Sequence, residues 1–280
     1  MSQDQGFLAV TLATSIAAIR KDFVAWFAAT ESFNNLGMQI LPAMKVDQAS
    51  NQQLVAATLY GRTLSSFQAA QVLAERGMLA DARTVIRAAA ETAIVLCALV
   101  KDEKVCDRLI ERHLWHHRLL RNAWLNDPQA IAEMTSQEID GIKAVVADID
   151  TNHPHIKQLK GDPVGIATLA RQSGVTALYN AVYRSASGDA AHTTIDALNR
   201  HVHADGQQNI QGLKFCPDVD DLPATLSDAM SVLGHALYAV LELFPLQQFD
   251  ADLAQCVASW KALGVPTEYK SDDEPVFAHP

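Results

Sequence analysis

Three groups of polar residues interrupt the apolar, helix-patterned stretches of this 280-residue chain, and their types and spacing suit chemistry. Arg83, Arg87 and Glu91 follow one another at intervals of four. They therefore form a single polar ladder on a helix whose other faces carry Ala88, Ala89, Ala90, Ile94, Val95 and Leu96. Buried charges are normally paired, so the ladder either fixes helix register through an Arg87/Glu91 pair or floors a polar cleft. The second group is Arg108, Arg112, His113, His116, His117, Arg118 and Arg121, a locally basic helix that would attract an anion. At about 100° per residue the three histidines share the arc of Val105, Cys106, Leu109, Leu120 and Trp124 and are expected to look inward. His113 and His117, four apart, have the spacing to hold one divalent metal or one substrate together. The bland alternative is that carbonyls or carboxylates of neighbouring helices satisfy them. The third group is Tyr183, Arg184, Ser187, Asp189 and His192 around Gly188. Capping accounts for Ser187 and Asp189; it does not account for Tyr183, Arg184 and His192, which are candidate binding residues.

Weaker signals surround these. His153-Pro154-His155 and His201-Val202-His203 place histidines two apart, a spacing that chelates only on extended backbone. Cys97, Cys106, Cys216 and Cys256 lack zinc-finger spacing and read as reduced thiols. Nucleophile elbows, P-loops, dinucleotide fingerprints and zincin motifs are absent.

The elements that must position these groups are helical throughout, because apolar residues recur at three and four along nearly the whole chain. The spacing predicts a first helix from Phe7 to Phe27 that exits at Asn34-Asn35-Leu36-Gly37 and Pro42. A second runs over 51–76, with Gly77 as a left-handed cap. A third, over 79–100, is apolar nearly all round and belongs in the middle of a bundle. A fourth, over 103–125, is followed by a fifth that opens on a Thr135/Glu138 capping box. Residues 150–163 read as a loop and subdomain boundary, with Asp162-Pro163 opening the next helix. Helical patterns return at 166–170, 175–185 and 189–200, and two clear helices end the chain at 222–244 and 249–260. The expectation is an all-α multi-helix bundle of about nine helices, with at most a small hairpin near 206–223. It would be a single domain over 1–263 with a flexible tail over 264–280.

In these residues the chain resembles a widespread bacterial family of all-helical domains of unknown function. In that family a Gly precedes an Arg-x-x-x-Glu helix, matched by Gly77, Arg87 and Glu91. A Tyr-x-x-x-Ser segment with a nearby His follows, matched by Tyr183, Ser187 and His192, although the Ser187-to-His192 spacing is longer than the pattern. The resemblance covers about 50–245 and implies a helical fold without an activity. A looser similarity is to the HEPN superfamily (higher eukaryotes and prokaryotes nucleotide-binding), whose metal-independent ribonucleases carry Arg-x4-6-His. Arg108 to His113 and Arg112 to His117 both fit that spacing. The similarity implies RNA or nucleotide processing: Arg112 would stabilise phosphorane charge, His117 would act as general base or acid, and His113 or Glu91 would orient.

Composition bounds these readings. At 49% hydrophobic and 19% charged, the chain can bury a core without metal or disulfides, so stability requires no cofactor. A net charge of −10 argues against a broad basic surface for nucleic acid and leaves room for a local basic pocket. The longest apolar run, Val85 to Val100, is broken by Arg87 and Glu91, and the N-terminus lacks a signal pattern, so no membrane span and a cytoplasmic location are expected. Three functions compete: HEPN-like processing of RNA or a nucleotide; a metal- or small-ligand-binding bundle in which Glu91, His113, His117 and His192 converge; and a non-enzymatic interaction module, with a homo-oligomer as one form of it, in which the polar ladder and the histidines only specify packing.

Overall fold

Tertiary packing is described here from a computed structural model covering residues 6–188, 194–204 and 210–264. The chain divides into two compact units, one of residues 1–101 with 166–280 and the other Asp102–Gly165. In the first lie helices α1 (Leu12–Asp22), α2 (Val24–Ala43), α3 (Asn51–Ala74) and α4 (Leu79–Lys101), and later α8 (Ile166–Gln172), α9 (Ile195–Asn199), α10 (Leu222–Leu243) and α11 (Asp250–Lys261). The second holds α5 (Val105–Leu125), α6 (Pro128–Glu133) and α7 (Ser136–Asn152). The fold is all-α.

The core of the larger unit is the packing of α3, α4 and α10 on one another. Helix α4 earns this place by composition: Ala82, Ala89, Ala90 and Ala93 let neighbours approach, while Ile86, Ile94, Leu96 and Leu99 fill the space between them. A second cluster, Ile19, Phe27, Leu79, Leu222 and Leu226, closes the end where α3 turns into α4. There Gly77 takes φ +71°, and a Cβ on it would lie 2.6 Å from the Asp218 nitrogen. That nitrogen donates to the Gly77 carbonyl at 2.9 Å, so the glycine both caps α3 and admits the 217–218 segment. By length and composition α10 is apolar enough to cross a bilayer, and 83% of that stretch is buried within the protein.

Several sequence expectations need correction. Eleven α-helices rather than about nine occur among the described residues. The chain does not leave helix at Asn34–Gly37; the break falls at Phe23, and α2 continues to Ala43. Gly37 looks like a turn residue but serves close packing, since a Cβ there would sit 2.9 Å from Leu64 Cδ1. The Tyr60 hydroxyl donates to its carbonyl at 2.9 Å. Asp162 does not start a helix: its carboxylate accepts from the Val164 nitrogen at 2.8 Å in a local turn, and α8 begins at Ile166. The small hairpin expected near 206–223 is present, starting a few residues before that range. Its strands β1 (Val202–Ala204) and β2 (Ile210–Leu213) pair antiparallel, with a register shift after His203. The tail over 265–280 lies outside the described residues.

Candidate functional site

The polar ladder of α4 meets a neighbouring segment that is not an ordinary helix. Residues Leu178–Arg184 form a π-helical stretch, and π-helical turn continues at 187–188. Stretches of this kind are rare and recur at functional sites. Val182, Leu178 and Ala186 are buried and anchor the stretch, while Tyr183 and Ser187 stand half-buried at its edge and Arg184 is exposed.

Arg87 is held on three sides by this segment. Its Nη2 donates to the Tyr183 hydroxyl at 2.9 Å and its Nε to Ser187 Oγ at 3.0 Å. The guanidinium also lies over the Tyr183 ring, 4.7 Å from the centroid. Tyr179 stacks on Tyr183 at 5.3 Å, and the Ser187 hydroxyl donates to the Tyr183 carbonyl at 2.6 Å, which fixes its lone pairs toward Arg87. Glu91 is farther, 3.9 Å from Arg87 Nη1. One turn earlier, Arg83 is nearly sealed: its guanidinium lies 3.6 Å from Asp228 of α10, with both side chains about 95% buried. Its Nη2 also reaches Ser185 Oγ at 3.4 Å. The two arginines thus differ in kind. Arg83 is paired inside the core with a carboxylate; Arg87 is a quarter exposed and its short contacts are to neutral hydroxyls.

Further along the same two helices the Cys97 thiol lies 3.7 Å from the His235 carbonyl. Burial pushes that thiol up to about 12. Burial likewise lowers His235, partly offset by its Nδ1 bond to the Ser231 carbonyl at 2.8 Å. All four cysteines are free.

The α5 group is arranged differently from its sequence expectation. His113 and His116 are exposed and His117 half-exposed, because α5 packs on α7 and the short α6 and buries only Val105. The inward-facing histidines are therefore a correction: the apolar arc exists, but little lies over it. The His113 and His117 rings are 4.0 Å apart, and Arg121 Nη1 lies 2.7 Å from His117 Nδ1. Residual burial and the charges of His113, Arg121 and His116 lower the His117 pKa. Arg112 instead pairs with Asp162 at 3.0 Å, and five residues of α-helix set it about 140° around from His117. Arg118 is taken by Asp150 at 2.6 Å. Among the described residues no three His, Cys, Asp or Glu side chains gather to hold a metal. His192 and Asp189 lie outside the described residues.

Asp228 and Tyr179 were not found by sequence reasoning. Asp228 had a signal, being the one charged residue in α10 before Glu242. Tyr179 had one only in hindsight of the wide turn that stacks it on Tyr183.

Comparison with known proteins gives one match: residues 53–209 fit the model of a family of unknown function (DUF5677). No curated protein and no solved structure matches the chain.

Proposed function

The chain belongs to that family, whose matched residues include Arg83, Arg87, Glu91, Tyr183 and Ser187, and from this premise we propose that it binds a phosphate-bearing ligand, a nucleotide or RNA, at Arg87. The observation that carries the reading is the company Arg87 keeps. Two hydroxyls and an aromatic face orient the guanidinium, and its ion pair with Glu91 on the same helix is a long one, 3.9 Å, which leaves the short hydrogen-bonding contacts to neutral groups. A planar fork held in this way is pre-organised for an oxyanion, and little side-chain entropy is lost on binding. Arg83 and Asp228 hold the floor beneath it. Four free thiols fit a reducing, cytoplasmic setting, and the burial of α10 fits a core helix rather than a membrane span.

A second reading, HEPN-like RNA cleavage by Arg112, His113 and His117, is favoured by one observation. The His113 and His117 rings lie 4.0 Å apart on an accessible face of α5, and the shift of His117 is downward, the direction that favours the neutral ring a general base needs.

Isothermal titration of the full chain with nucleoside mono-, di- and triphosphates and short RNA oligomers tests the first reading. Arg87→Met should weaken the tightest binder about tenfold or more while the far-UV spectrum and melting temperature stay those of the wild type. A chain that binds none of these ligands, or an Arg87→Met variant that binds them equally, overturns it. The same RNAs followed by gel electrophoresis separate the second reading, since cleavage that persists in Arg112→Ala and His117→Ala excludes it.

A further inference from the structure

The π-helical stretch that cradles Arg87 gathers more than the two hydroxyls bonded to it. In an α-helix, residues five apart point about 140° away from each other. A π-helix closes its hydrogen bonds from i to i+5, so its fifth residue comes back to nearly the same side. Over Leu178–Arg184 this winding brings Arg184 round to the side of Tyr179 and Tyr183, where an α-helix would turn it away. Tyr183 is pinned at its hydroxyl by Arg87. Tyr179 stacks on the same ring, with centroids 5.3 Å apart and planes 19° from parallel. Tyr179 is half-buried and Arg184 is exposed. One edge of the site thus presents two arginines and a pair of near-parallel aromatic rings.

We propose that this edge binds a single-stranded oligonucleotide, with a base stacked on Tyr179 and backbone phosphates at Arg87 and Arg184. The inference rests on the reading of Arg87 as a phosphate site and names the class of ligand. Reach selects a strand over a mononucleotide. The path from the Arg87 guanidinium to Tyr179 leads through the Tyr183 ring, in steps of 4.7 and 5.3 Å. A base on the outer side of Tyr179 is set off from Arg87 by the aromatic pair, farther than a nucleotide holds its base from its own phosphate. The phosphate at Arg87 then belongs to a neighbouring nucleotide. A duplex is a poor fit, because its base faces are already closed in their own stack. The net charge of −10 opposes broad attraction of a polyanion, so stacking must supply affinity that charge does not. Two phosphate contacts on a single strand give a shallow salt dependence, a slope of about −1.4 in log K against log salt.

Fluorescence anisotropy of end-labelled RNA and DNA octamers of one sequence, titrated with the full chain, reads the result, and the tighter strand is carried forward. The same octamer with abasic sugars keeps the phosphates, lacks the base planes, and should bind the wild type about tenfold or more weaker. Tyr179→Leu should weaken the complete octamer by a similar factor and leave the abasic one unchanged, while Tyr179→Phe, which keeps the ring, should bind as the wild type does. Arg87→Met should weaken both octamers. A wild type that binds the abasic octamer as tightly as the complete one overturns the proposal without recourse to any variant. So does a Tyr179→Leu chain that binds the complete octamer like the wild type while Arg87→Met does not, and the phosphate reading of Arg87 then stands alone. Octamer binding that neither Tyr179→Leu nor Arg87→Met affects removes both.

Discussion

Helix α4 and helix α5 are nearly equal in length, yet α4 buries fourteen of its 23 residues and α5 buries one of its 21. Both carry arginines with carboxylate partners. In α4 the environment is dry, so Arg83 must have Asp228 beside it, and the pair ties α10 to α4. In α5 the pairs Arg112–Asp162 and Arg118–Asp150 lie at a partly wetted surface, where water competes with each partner. The lesson is that the same residue types act as structure in one unit and as adjustable surface in the other. What decides is the number of neighbouring helices available to exclude water.

The largest expected effect tests the dry side of that contrast. Arg83→Met removes the guanidinium beside the buried Asp228 carboxylate and should cost about 3–5 kcal/mol in urea unfolding. Arg83→Met with Asp228→Leu should recover most of the loss, because an apolar pair of similar volume suits the site. Arg118→Met, in the other unit, should cost no more than about 1 kcal/mol. Equal costs for Arg83→Met and Arg118→Met would erase the distinction.

A smaller effect tests whether the two units share one cooperative transition. Thr135 Oγ accepts from the Glu138 nitrogen at 3.3 Å and Glu138 accepts from the Thr135 nitrogen at 2.7 Å, a complete capping box on α7. Thr135→Ala should cost about 1 kcal/mol. Amide exchange should quicken in α7 and leave α3 and α4 unchanged if the units open separately.

The smallest effect concerns two histidines that share one cause of lowering and differ in a second. Loss of hydration lowers both, and in His117 the positive charges of His113, Arg121 and His116 add to it. In proton-detected titrations, added salt should move the His117 midpoint back toward its ordinary value and leave His235 in place. Because the folded pKa of His235 lies below 6.5, the unfolded chain takes up its proton first. Stability from this residue is therefore present above pH about 6.5 and is lost as pH falls through that value toward the folded pKa. His235→Gln should flatten that part of the pH dependence.

Much of the fold was legible in the sequence, and the reasons are local. The Thr135/Glu138 box and the Gly77 cap depend on a few adjacent residues and form as their patterns indicate. The helical period of α4 and α10 follows from side-chain spacing alone. Asn34–Gly37 misled because a glycine has the same letter whether it turns the chain or admits Leu64 and Tyr60 against a helix. The α5 arc misled because periodicity reports that a face is apolar, while burial requires something to cover it. In the candidate site, Arg87, Glu91, Tyr183 and Ser187 could each be picked out by type and spacing. Their junction across about a hundred residues could not.

By itself, then, the sequence determined helix content, caps and the polar ladder, since these rest on interactions within a few residues of one another. Only tertiary structure decided that Arg83 finds Asp228 and that Arg87 is cradled by a π-helical edge. Both outcomes depend on which helices exclude water from which charge, and that is a property of packing at long range along the chain.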